Sequence, residues 1–514
     1  MTHQASLASV TRSARRVAAL GAATFLALSS PSCSGDGAPP DVTPPADRFT
    51  LPLCDQPLGE QAPLATRCQQ FVDAEGRVVV LHGINARVEG LFDVTFDDGR
   101  VALEDIPEFT LEDAQRMRAM GFNLLRLPVN WSGLEPQDTQ PPTYSATYLA
   151  RLHEVVDLCE EAGLYVLIDF HQDAYSKEIG EDGAPLWAIS PEPEMLLEGP
   201  LTDLGARRAA GQTLAAFRTF FGDAEPGPTL RARFADMAAR VASEFVGDTT
   251  VIGYEVFNEP VASDSETLRL NRDVGAALLA ADPGHLVVFE PQATFRVVFN
   301  RSGSTGAPFG VPGGVYAPHI YTLAFSGTEE QLLAFTRTSL RPAHRSAYDE
   351  AVAWETPLLV GEFGMNPVGT RGLEYLELQT DLHDEFGASS AFWVWKEDSQ
   401  DSWGLFDRSG DEWVERPALR RVLSRPMPER IAGQPLWWRY DRGTQTLDLA
   451  YQGDSAVDAP TEVYVPASED YTAQFVVRCD EREVAVTRDS ATGIVAVPCG
   501  GRGPHRVQVA PAAP

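Results

Sequence analysis

Two glutamates that follow directly on apolar runs are well placed to do chemistry in this chain. The run 251–257 leads into Asn258 and Glu259, and the run 357–361 leads into Glu362. Runs of this kind are typical of strands that are buried on both faces. A charge at the exit of a buried strand is costly unless it is paired or serves chemistry. The two carboxylates therefore predict one hydrolytic site, although each taken singly could instead cap a helix or meet a structural arginine.

Eight short apolar runs organise the chain up to about residue 425. They span 78–84, 124–129, 165–170, 251–257, 286–290, 315–319, 357–363 and 390–395. Helical patterns lie between most of them, at 111–120, 148–162, 230–245 and 267–281. Eight strand–helix repeats predict a (β/α)8 barrel (TIM barrel) of the α/β class. Catalytic residues of such barrels lie at the carboxyl ends of the strands.

Polar and aromatic residues gather at those predicted strand ends. They are Asn85, Arg126, His171, Asp173, Asn258, Glu259, His319, Tyr321, Glu362, Trp393 and Trp395. So many at one rim are not expected by chance, so the pattern predicts an active-site face. Structural alternatives exist: Arg126 could form a core ion pair, the two histidines could be satisfied core residues, and one of the tryptophans could be core. The long segment 172–229 after the third strand favours a functional loop.

The charge and the N-terminus limit the functional classes. The 514 residues carry a formal net charge of −32, which argues against nucleic acid as a partner and against electrostatic docking on anionic lipid. Arginines precede the apolar run 17–28, which predicts a signal peptide over residues 1–32 and export. Cys33 is then either lipidated, tethering the protein to the bacterial cell envelope, or an incidental cysteine of a secreted protein. We expect a monomer.

The remaining cysteines fit an exported protein. Cys54 and Cys68 are close in sequence, as are Cys479 and Cys499. Each pair is predicted to form a disulfide in an oxidising compartment. Cys159 lies in a helical pattern and is predicted to be a buried free thiol.

After residue 426 the pattern changes from strand–helix repeats to alternating strands. These are predicted at 436–440, 446–451, 461–465, 474–478, 494–497 and 506–509. They predict a small β-sandwich, which either is a scaffold packed on the barrel or binds sugar or lipid. The predicted organisation is a signal peptide (1–32), a linker and strap (33–75), the barrel (76–425) and the sandwich (426–514).

Several motifs give the chain a resemblance to a known family. They are Asn258-Glu259-Pro260, Gly361-Glu362-Phe363-Gly364, Gly121-Phe122-Asn123 through Arg126, Trp131 with Glu135-Pro136, 169–176, 182–187, 217–221 and Pro318-His319-Ile320-Tyr321. In this order they resemble glycoside hydrolase family 5 and, within it, the endoglycoceramidase branch. The resemblance covers about residues 76–425, and the trailing sandwich fits that branch.

The resemblance implies a retaining mechanism with Glu362 as nucleophile and Glu259 as general acid/base. Asn258 would bind the 2-hydroxyl of the sugar, and Arg126 and Tyr321 would keep Glu362 ionised. The remaining implied substrate-binding residues are His171, Asp173 and His319, with Trp393 or Trp395 as the stacking platform. No spacing resembles a metal site, and neither a metal nor a cofactor is expected.

One departure bears on specificity. The branch commonly has a lysine after the first strand, whereas this chain has Arg87 there; either Arg87 takes its place or the sugar specificity differs. The leading hypothesis is an exported enzyme that cleaves the bond between the glycan and the ceramide of glycosphingolipids. The alternatives are a family-5 β-glucanase or aryl or steryl β-glucosidase and, as a non-enzyme, a surface carbohydrate-binding protein.

Overall fold

The computed structural model describes residues 39–293, 311, 313–398, 403–467, 471 and 474–512. The predicted signal peptide and Cys33 lie outside these residues. Among the helices in these ranges, none is long and apolar enough to cross a membrane.

The described chain enters through three short antiparallel strands and then builds a barrel. The entry strands are β1 (Ala65–Arg67), β2 (Gln70–Val72) and β3 (Val78–Val79). The barrel strands are β4 (His82–Asn85), β5 (Leu124–Val129), β6 (Tyr165–Phe170), β7 (Val251–Glu255), β8 (Leu286–Phe289), β9 (Gly314–Tyr316), β10 (Leu359–Phe363) and β11 (Ser389–Phe392). They pair in parallel in the order β10-β11-β4-β5-β6-β7-β8-β9, and a bridge from Tyr316 to Leu358 closes the ring. The predicted barrel is confirmed.

Helices follow most of the barrel strands. They are α1 (Leu111–Ala119), α2 (Trp131–Leu134), α3 (Ala146–Ala162), α4 (Leu204–Arg208), α5 (Gly211–Phe221), α6 (Gly227–Ala242), α7 (Asp264–Ala281), α8 (Glu329–Ala334), α9 (Arg337–Ala353), α10 (Gly372–Phe386) and α11 (Pro417–Leu423). Local sequence sets where several begin. Thr110 with Asp113 and Ser263 with Glu266 form capping boxes that satisfy backbone N–H groups at the starts of α1 and α7.

The interior of the barrel contains an apolar layer and, next to it, a polar layer. They arise because side chains two residues apart on a strand lie on the same face. Leu124 and Leu167 belong to an apolar cluster built mainly from the barrel strands. Arg126 and Asp169 follow two positions later, so they lie on the same faces of β5 and β6. Both are fully buried. The barrel therefore brings charged groups together in its interior, near the carboxyl ends of its strands.

Antiparallel sheets follow the barrel. The strands are β12 (Phe406–Ser409), β13 (Glu412–Glu415), β14 (Met427–Ile431), β15 (Gly433–Asp441), β16 (Thr446–Gly453), β17 (Thr461–Tyr464), β18 (Phe475–Cys479), β19 (Arg482–Val484), β20 (Ile494–Val497) and β21 (Gly503–Pro511). β12 and β13 form a hairpin, and the others join a six-stranded sheet, β1-β2-β3-β14-β17-β20, and a five-stranded sheet, β15-β16-β21-β18-β19. The predicted C-terminal β-domain is confirmed.

The entry strap differs from the linker that the sequence suggested. Its strands belong to the six-stranded sheet, where β3 pairs with β14, and the run predicted as one strand over 78–84 is divided. Val78–Val79 lies in that sheet and His82–Asn85 in the barrel. The apolar pattern is continuous across the division because both halves are buried, so periodicity alone does not reveal the change of partner.

A buried ion pair links the barrel to the C-terminal sheets. Arg118 at the end of α1 donates two hydrogen bonds, of 2.9 and 2.8 Å, to the carboxylate of Glu429 in β14. The Tyr464 hydroxyl in β17 donates to the carbonyl of Ala119 at 2.8 Å. Removing one partner of such a buried pair typically costs about 3–5 kcal/mol. These contacts favour a scaffold role for the C-terminal sheets.

The cysteines are paired as predicted. Disulfides join Cys54 to Cys68 and Cys479 to Cys499, and Cys159 is free and buried in α3. Burial raises the pKa of the Cys159 thiol far above its ordinary value, and the thiolate is the reactive form.

We therefore expect iodoacetamide to leave Cys159 unmodified in the folded protein and to alkylate it after denaturation. Non-reducing peptide mapping by mass spectrometry reads both states, with the two disulfide-linked peptide pairs as internal controls. Labelling of Cys159 in the native protein, or its recovery in a disulfide, would contradict this arrangement.

Candidate active site

The guanidinium of Arg126 lies at the centre of the site. It projects from β5 and is 0% exposed. Its Nε donates to Glu255 at 2.6 Å, and its Nη1 donates to Glu362 at 2.8 Å. Its Nη2 donates to the side-chain oxygen of Asn258 at 2.9 Å and lies 3.2 Å from Asp169. The planar fork of donors suits arginine to this role because it fixes the directions of several acceptors at once.

Glu362 lies in β10 with both carboxylate oxygens engaged. Oε1 accepts from Arg126, and Oε2 accepts from the Tyr321 hydroxyl at 2.8 Å. His319 Nδ1 is 3.5 Å from Oε2. The preceding Gly361 leaves room for this imidazole, since a Cβ there would lie 3.1 Å from His319 Nε2. The small residue before Glu362 thus lets the histidine reach the carboxylate.

Glu259 follows β7 in a left-handed backbone conformation, with φ of 41°. Few residues other than glycine adopt this conformation, which costs on the order of 1–3 kcal/mol and concentrates at functional sites. Two groups brace the turn. The Gln172 amide donates to the carbonyls of Asn258 and Glu259 at 2.8 and 3.1 Å, and Glu290 accepts from the Glu259 N–H at 3.1 Å.

The two glutamates meet at His319. Its Nδ1 is 3.0 Å from Glu259 Oε1, and one carboxylate oxygen of each glutamate and one nitrogen of His319 all lie within 4.8 Å of one another. Retaining glycosidases hold their two carboxyl groups about 5–5.5 Å apart. The structure therefore brings Glu259 and Glu362 together as a pair suited to attack and protonation on one bond.

Burial and neighbouring charges act differently on the two carboxyl groups. Burial raises the pKa of Glu362, against the opposing effects of His319 and Arg126. Burial also disfavours charge on Glu259, yet the hydrogen bond with His319 and the charge of Arg208 leave the pKa of Glu259 below its ordinary value. Arg126 divides its charge among several carboxylates and so stabilises Glu362 less than a dedicated partner would. The surroundings therefore shift the pKa values of the two carboxyl groups in opposite directions.

His171 and Asp173 form a second polar group at the rim. His171 Nδ1 lies 2.5 Å from Asp169, and its Nε2 lies 3.6 Å from Asp173. Although burial opposes its charge, the carboxylate of Asp169 raises the pKa of His171 well above its ordinary value. Burial alone would raise the pKa of Asp173, but Arg208 and His171 hold it well below its usual range. An imidazolium and a carboxylate thus stand side by side, as a sugar hydroxyl requires for donating and accepting.

Asn258 and Arg87 are both buried and engaged. Besides accepting from Arg126, Asn258 donates to the Gln172 carbonyl at 3.1 Å, so its amide orientation is fixed. Arg87, where the branch commonly has lysine, donates to Glu104 at 2.6 Å and lies 3.5 Å from Glu397. Arg87 is therefore held by carboxylates beside the rim.

The structure separates the two tryptophans of the eighth strand segment. Trp393 is partly exposed and stacks on His171, with ring centroids 5.5 Å apart and planes within 10°. Trp395 is 1% exposed, packs on Phe406 and donates to Asp113, so it is a core residue and cannot stack on a sugar. The sequence left the choice between the two tryptophans open, because β11 ends at Phe392 and strand alternation does not extend to either of them.

Groups of histidine and carboxylate atoms occur close enough together to surround an ion. They are His171 with Asp173 and Asp182, Glu255 with Glu290 and His319, and Glu259 with His319 and Glu362. Each of the three contacts a positively charged arginine, Arg126 or Arg208. Hydrolysis by two carboxylates needs no ion, and we assign none of these groups as a metal site.

Some residues of the site were not among the sequence-based candidates. They are Asp169, Glu255, Glu290, Gln172 and Arg208. Asp169, Glu255 and Glu290 could have been found from the sequence, because each is a charged residue within or at the end of an apolar run. Gln172 had a signal only as part of the motif 169–176, and Arg208 had none, since its role depends on how the long loop folds back over the barrel.

An eight-stranded barrel with a glutamate pair at the carboxyl ends of its strands is the architecture of a glycoside hydrolase. The cellulase family model (glycosyl hydrolase family 5) matches residues 103–399, and the model of the glycoside hydrolase family 5 C-terminal domain matches residues 425–509. The chain belongs to glycoside hydrolase family 5.

Similar proteins within this family carry the name endoglycoceramidase. Endoglycoceramidase from Cyanea nozakii is 29% identical over 435 residues, covering 74% of this chain and 80% of that protein. Endoglycoceramidase I from Rhodococcus hoagii is 26% identical over 476 residues, covering 85% and 86%. The solved structure of endo-glycoceramidase II from Rhodococcus sp. with a five-membered iminocyclitol superposes with a TM-score of 0.70 at 25% identity, covering 86% of this chain and 99% of that one. The chain is an endoglycoceramidase-like glycosidase.

The pair geometry predicts the effects of removing each carboxylate. Glu362→Gln should abolish turnover, and Glu259→Gln should slow hydrolysis of an alkyl β-glycoside by about 10²–10⁴-fold. The Glu259→Gln defect should be smaller for a 4-nitrophenyl glycoside, whose leaving group needs no proton. Steady-state kinetics on both substrates test this, and undiminished activity in Glu362→Gln would refute the assignment.

Proposed function

We propose that this enzyme hydrolyses the bond between the glycan and the ceramide of glycosphingolipids with retention of configuration. The retaining reaction is supported by the short distance between the carboxyl groups of Glu259 and Glu362, which both lie close to the imidazole of His319. The relatives named endoglycoceramidase support the lipid substrate.

In the first step, a Glu362 oxygen attacks the anomeric carbon and forms a glycosyl ester as the bond to the leaving oxygen breaks. Glu259 gives its proton to that oxygen, and ceramide leaves with its hydroxyl intact. In the second step, Glu259 takes a proton from water, the resulting hydroxide attacks the same carbon, and Glu362 is released. Arg126 and the Tyr321 hydroxyl orient Glu362 for attack through their hydrogen bonds.

A cluster of aromatic rings close to Glu362, formed by Phe325, Trp403 and Tyr321 and called the ledge below, favours an apolar aglycone. Phe325 is 54% exposed, and its ring lies 4.7 Å from that of Trp403 and 4.8 Å from that of Tyr321. Tyr321 is the residue that holds Glu362, so the exposed ring lies one residue away from the reacting carboxylate. Covering this ring with a lipid chain would gain about 1.5–3 kcal/mol before the costs of binding.

The long loop offers a second apolar surface. Leu186, Met195 and Leu196 are exposed there, whereas Trp187 donates to the Glu135 carbonyl at 3.0 Å and packs on Trp131. Leu186, Met195 and Leu196 are therefore available to a lipid, whereas Trp187 is engaged within the protein. The ledge is joined to Glu362 through Tyr321. We therefore place the part of the ceramide nearest the sugar on the ledge and the rest of the lipid on the exposed residues of the loop.

We also propose that the enzyme is exported and works as a monomer, secreted or tethered to the cell envelope through Cys33. The support is the sequence pattern of residues 1–32 together with the two disulfides, which persist in oxidising compartments.

Product analysis distinguishes this function from its alternatives. With lactosylceramide as substrate, we expect intact lactose and ceramide, both identified by mass spectrometry, and no products from Glu362→Gln. Release of galactose with glucosylceramide left behind would indicate an exo-acting glycosidase. Binding without any turnover of glycosides would indicate a carbohydrate-binding protein.

The ledge gives a separate prediction. Phe325→Asp should raise KM for lactosylceramide about tenfold, because it places a charge where the lipid lies, and should leave KM for 4-nitrophenyl β-lactoside unchanged. Val246→Asp is the matched control, since Val246 is 59% exposed and precedes β7 at the opposite end of the barrel. Equal effects on both substrates would remove the ledge from the lipid site.

A further inference from the structure

A short helix in the long loop carries an arginine into the site. α4 (Leu204–Arg208) has no buried residue. The segment before it is attached to the loop after β4, where the Leu201 N–H donates to the Leu103 carbonyl at 2.6 Å. At the other end of α4, Arg207 donates to the Gly180 carbonyl at 3.1 Å. Polar contacts at both ends thus hold this exposed helix.

Arg208 contacts two carboxylates of the site at once. Its Nη2 forms an ion pair with Asp173 and lies 3.7 Å from Glu259 Oε2. Asp173 is one of the residues expected to bind a sugar hydroxyl, and Glu259 is the general acid/base of the proposed reaction. A guanidinium therefore takes up acceptor positions that the substrate would use.

This position conflicts with acid catalysis. A general acid must hold a proton when the leaving oxygen departs, whereas a neighbouring cation favours the ionised carboxylate. Arg208 accordingly helps to keep the pKa of Glu259 low. The contact cannot persist unchanged in a productive complex.

We propose that Arg208 is a positioning residue that occupies the sugar subsite as the counter-ion of Asp173 and Glu259 until substrate hydroxyls replace it. Binding of the sugar to Asp173 then releases the guanidinium, and Glu259 takes from solvent the proton that it must donate to the leaving oxygen. The inference rests on the proposed function, because it assigns Glu259 as the acid/base. Arg208 thereby couples occupation of the sugar subsite to protonation of the acid.

The charged and titratable groups around Glu259 set the sign of the expected effect. They are His319 after β9, Glu362 in β10, Glu290 after β8, Asp173 after β6 and Arg208 in α4. Glu259 and Glu362 lie close together, so their titrations are coupled. Removing the charge of Arg208 makes the ionised form of Glu259 less stable, so Glu259 loses its proton only at higher pH.

The test compares pH profiles of Arg208→Gln, Arg208→Lys and a control variant, Arg218→Gln, on octyl β-lactoside, a substrate whose leaving group requires protonation. Arg218 is an exposed arginine of α5. kcat/KM reports the free enzyme and kcat reports the complex. We expect Arg208→Gln to move the alkaline limb of kcat/KM up by about one pH unit while the limb of kcat stays in place. Arg208→Lys should retain the wild-type limbs, and Arg218→Gln should shift neither limb.

Two other results would overturn the proposal. Equal shifts of both limbs in Arg208→Gln would mean that Arg208 stays beside Glu259 in the complex. No shift in either limb would make Arg208 a structural residue of the loop.

Failure of the proposed function is recognised separately. If octyl β-lactoside is cleaved but lactosylceramide is not, the proposed function is wrong, and the pH profiles on octyl β-lactoside still test the role of Arg208. If neither is turned over, the ¹³C NMR titration of the Glu259 carboxyl carbon, assigned by its loss in Glu259→Gln, measures the same shift.

Discussion

The burial of one positive charge inside the barrel is the constraint on which the rest of the site depends. An unpaired guanidinium removed from water would be prohibitively costly, so Arg126 has to be surrounded by acceptors. The structure supplies them from β6, β7, β10 and the turn after β7: Asp169, Glu255, Glu362 and Asn258. Each strand end is fixed relative to the others through this one group. Precise placement of the reacting carboxylate is a by-product of satisfying the charge.

The excess of carboxylates around Arg126 also affects the pKa values of the acidic groups in the site. One cation cannot neutralise all of its acidic neighbours, so burial forces protons onto some of them. Glu290 illustrates this, since burial and the charge of Glu255 raise the pKa of Glu290 well above its ordinary value. His319 and Arg208 decide which member of the reacting pair holds its proton. Control of the acid therefore lies partly in a surface loop, where substrate can act on it.

The C-terminal sheets and the entry strap support the barrel from another side. The strap pairs with β14, and Glu429 in that strand receives the buried Arg118 of α1. The strand before the barrel (β3) and the strand after it (β14) therefore pair in one sheet. Nothing in this linkage requires a sugar-binding role for the C-terminal domain.

The sequence by itself determined the barrel, the C-terminal sheets, the cysteine pairing and the glutamate pair, because each follows from local periodicity, sequence proximity or a charge at the end of an apolar run. It could not divide the run 78–84 between two sheets or separate Trp393 from Trp395, since local patterns do not state where a strand finds its partners or ends. Tertiary structure alone placed Arg208 against Glu259 and gave Glu259 and Glu362 different electrostatic surroundings. Those properties arise from charges distant in sequence, and their energies depend on separations and burial that only the folded chain defines.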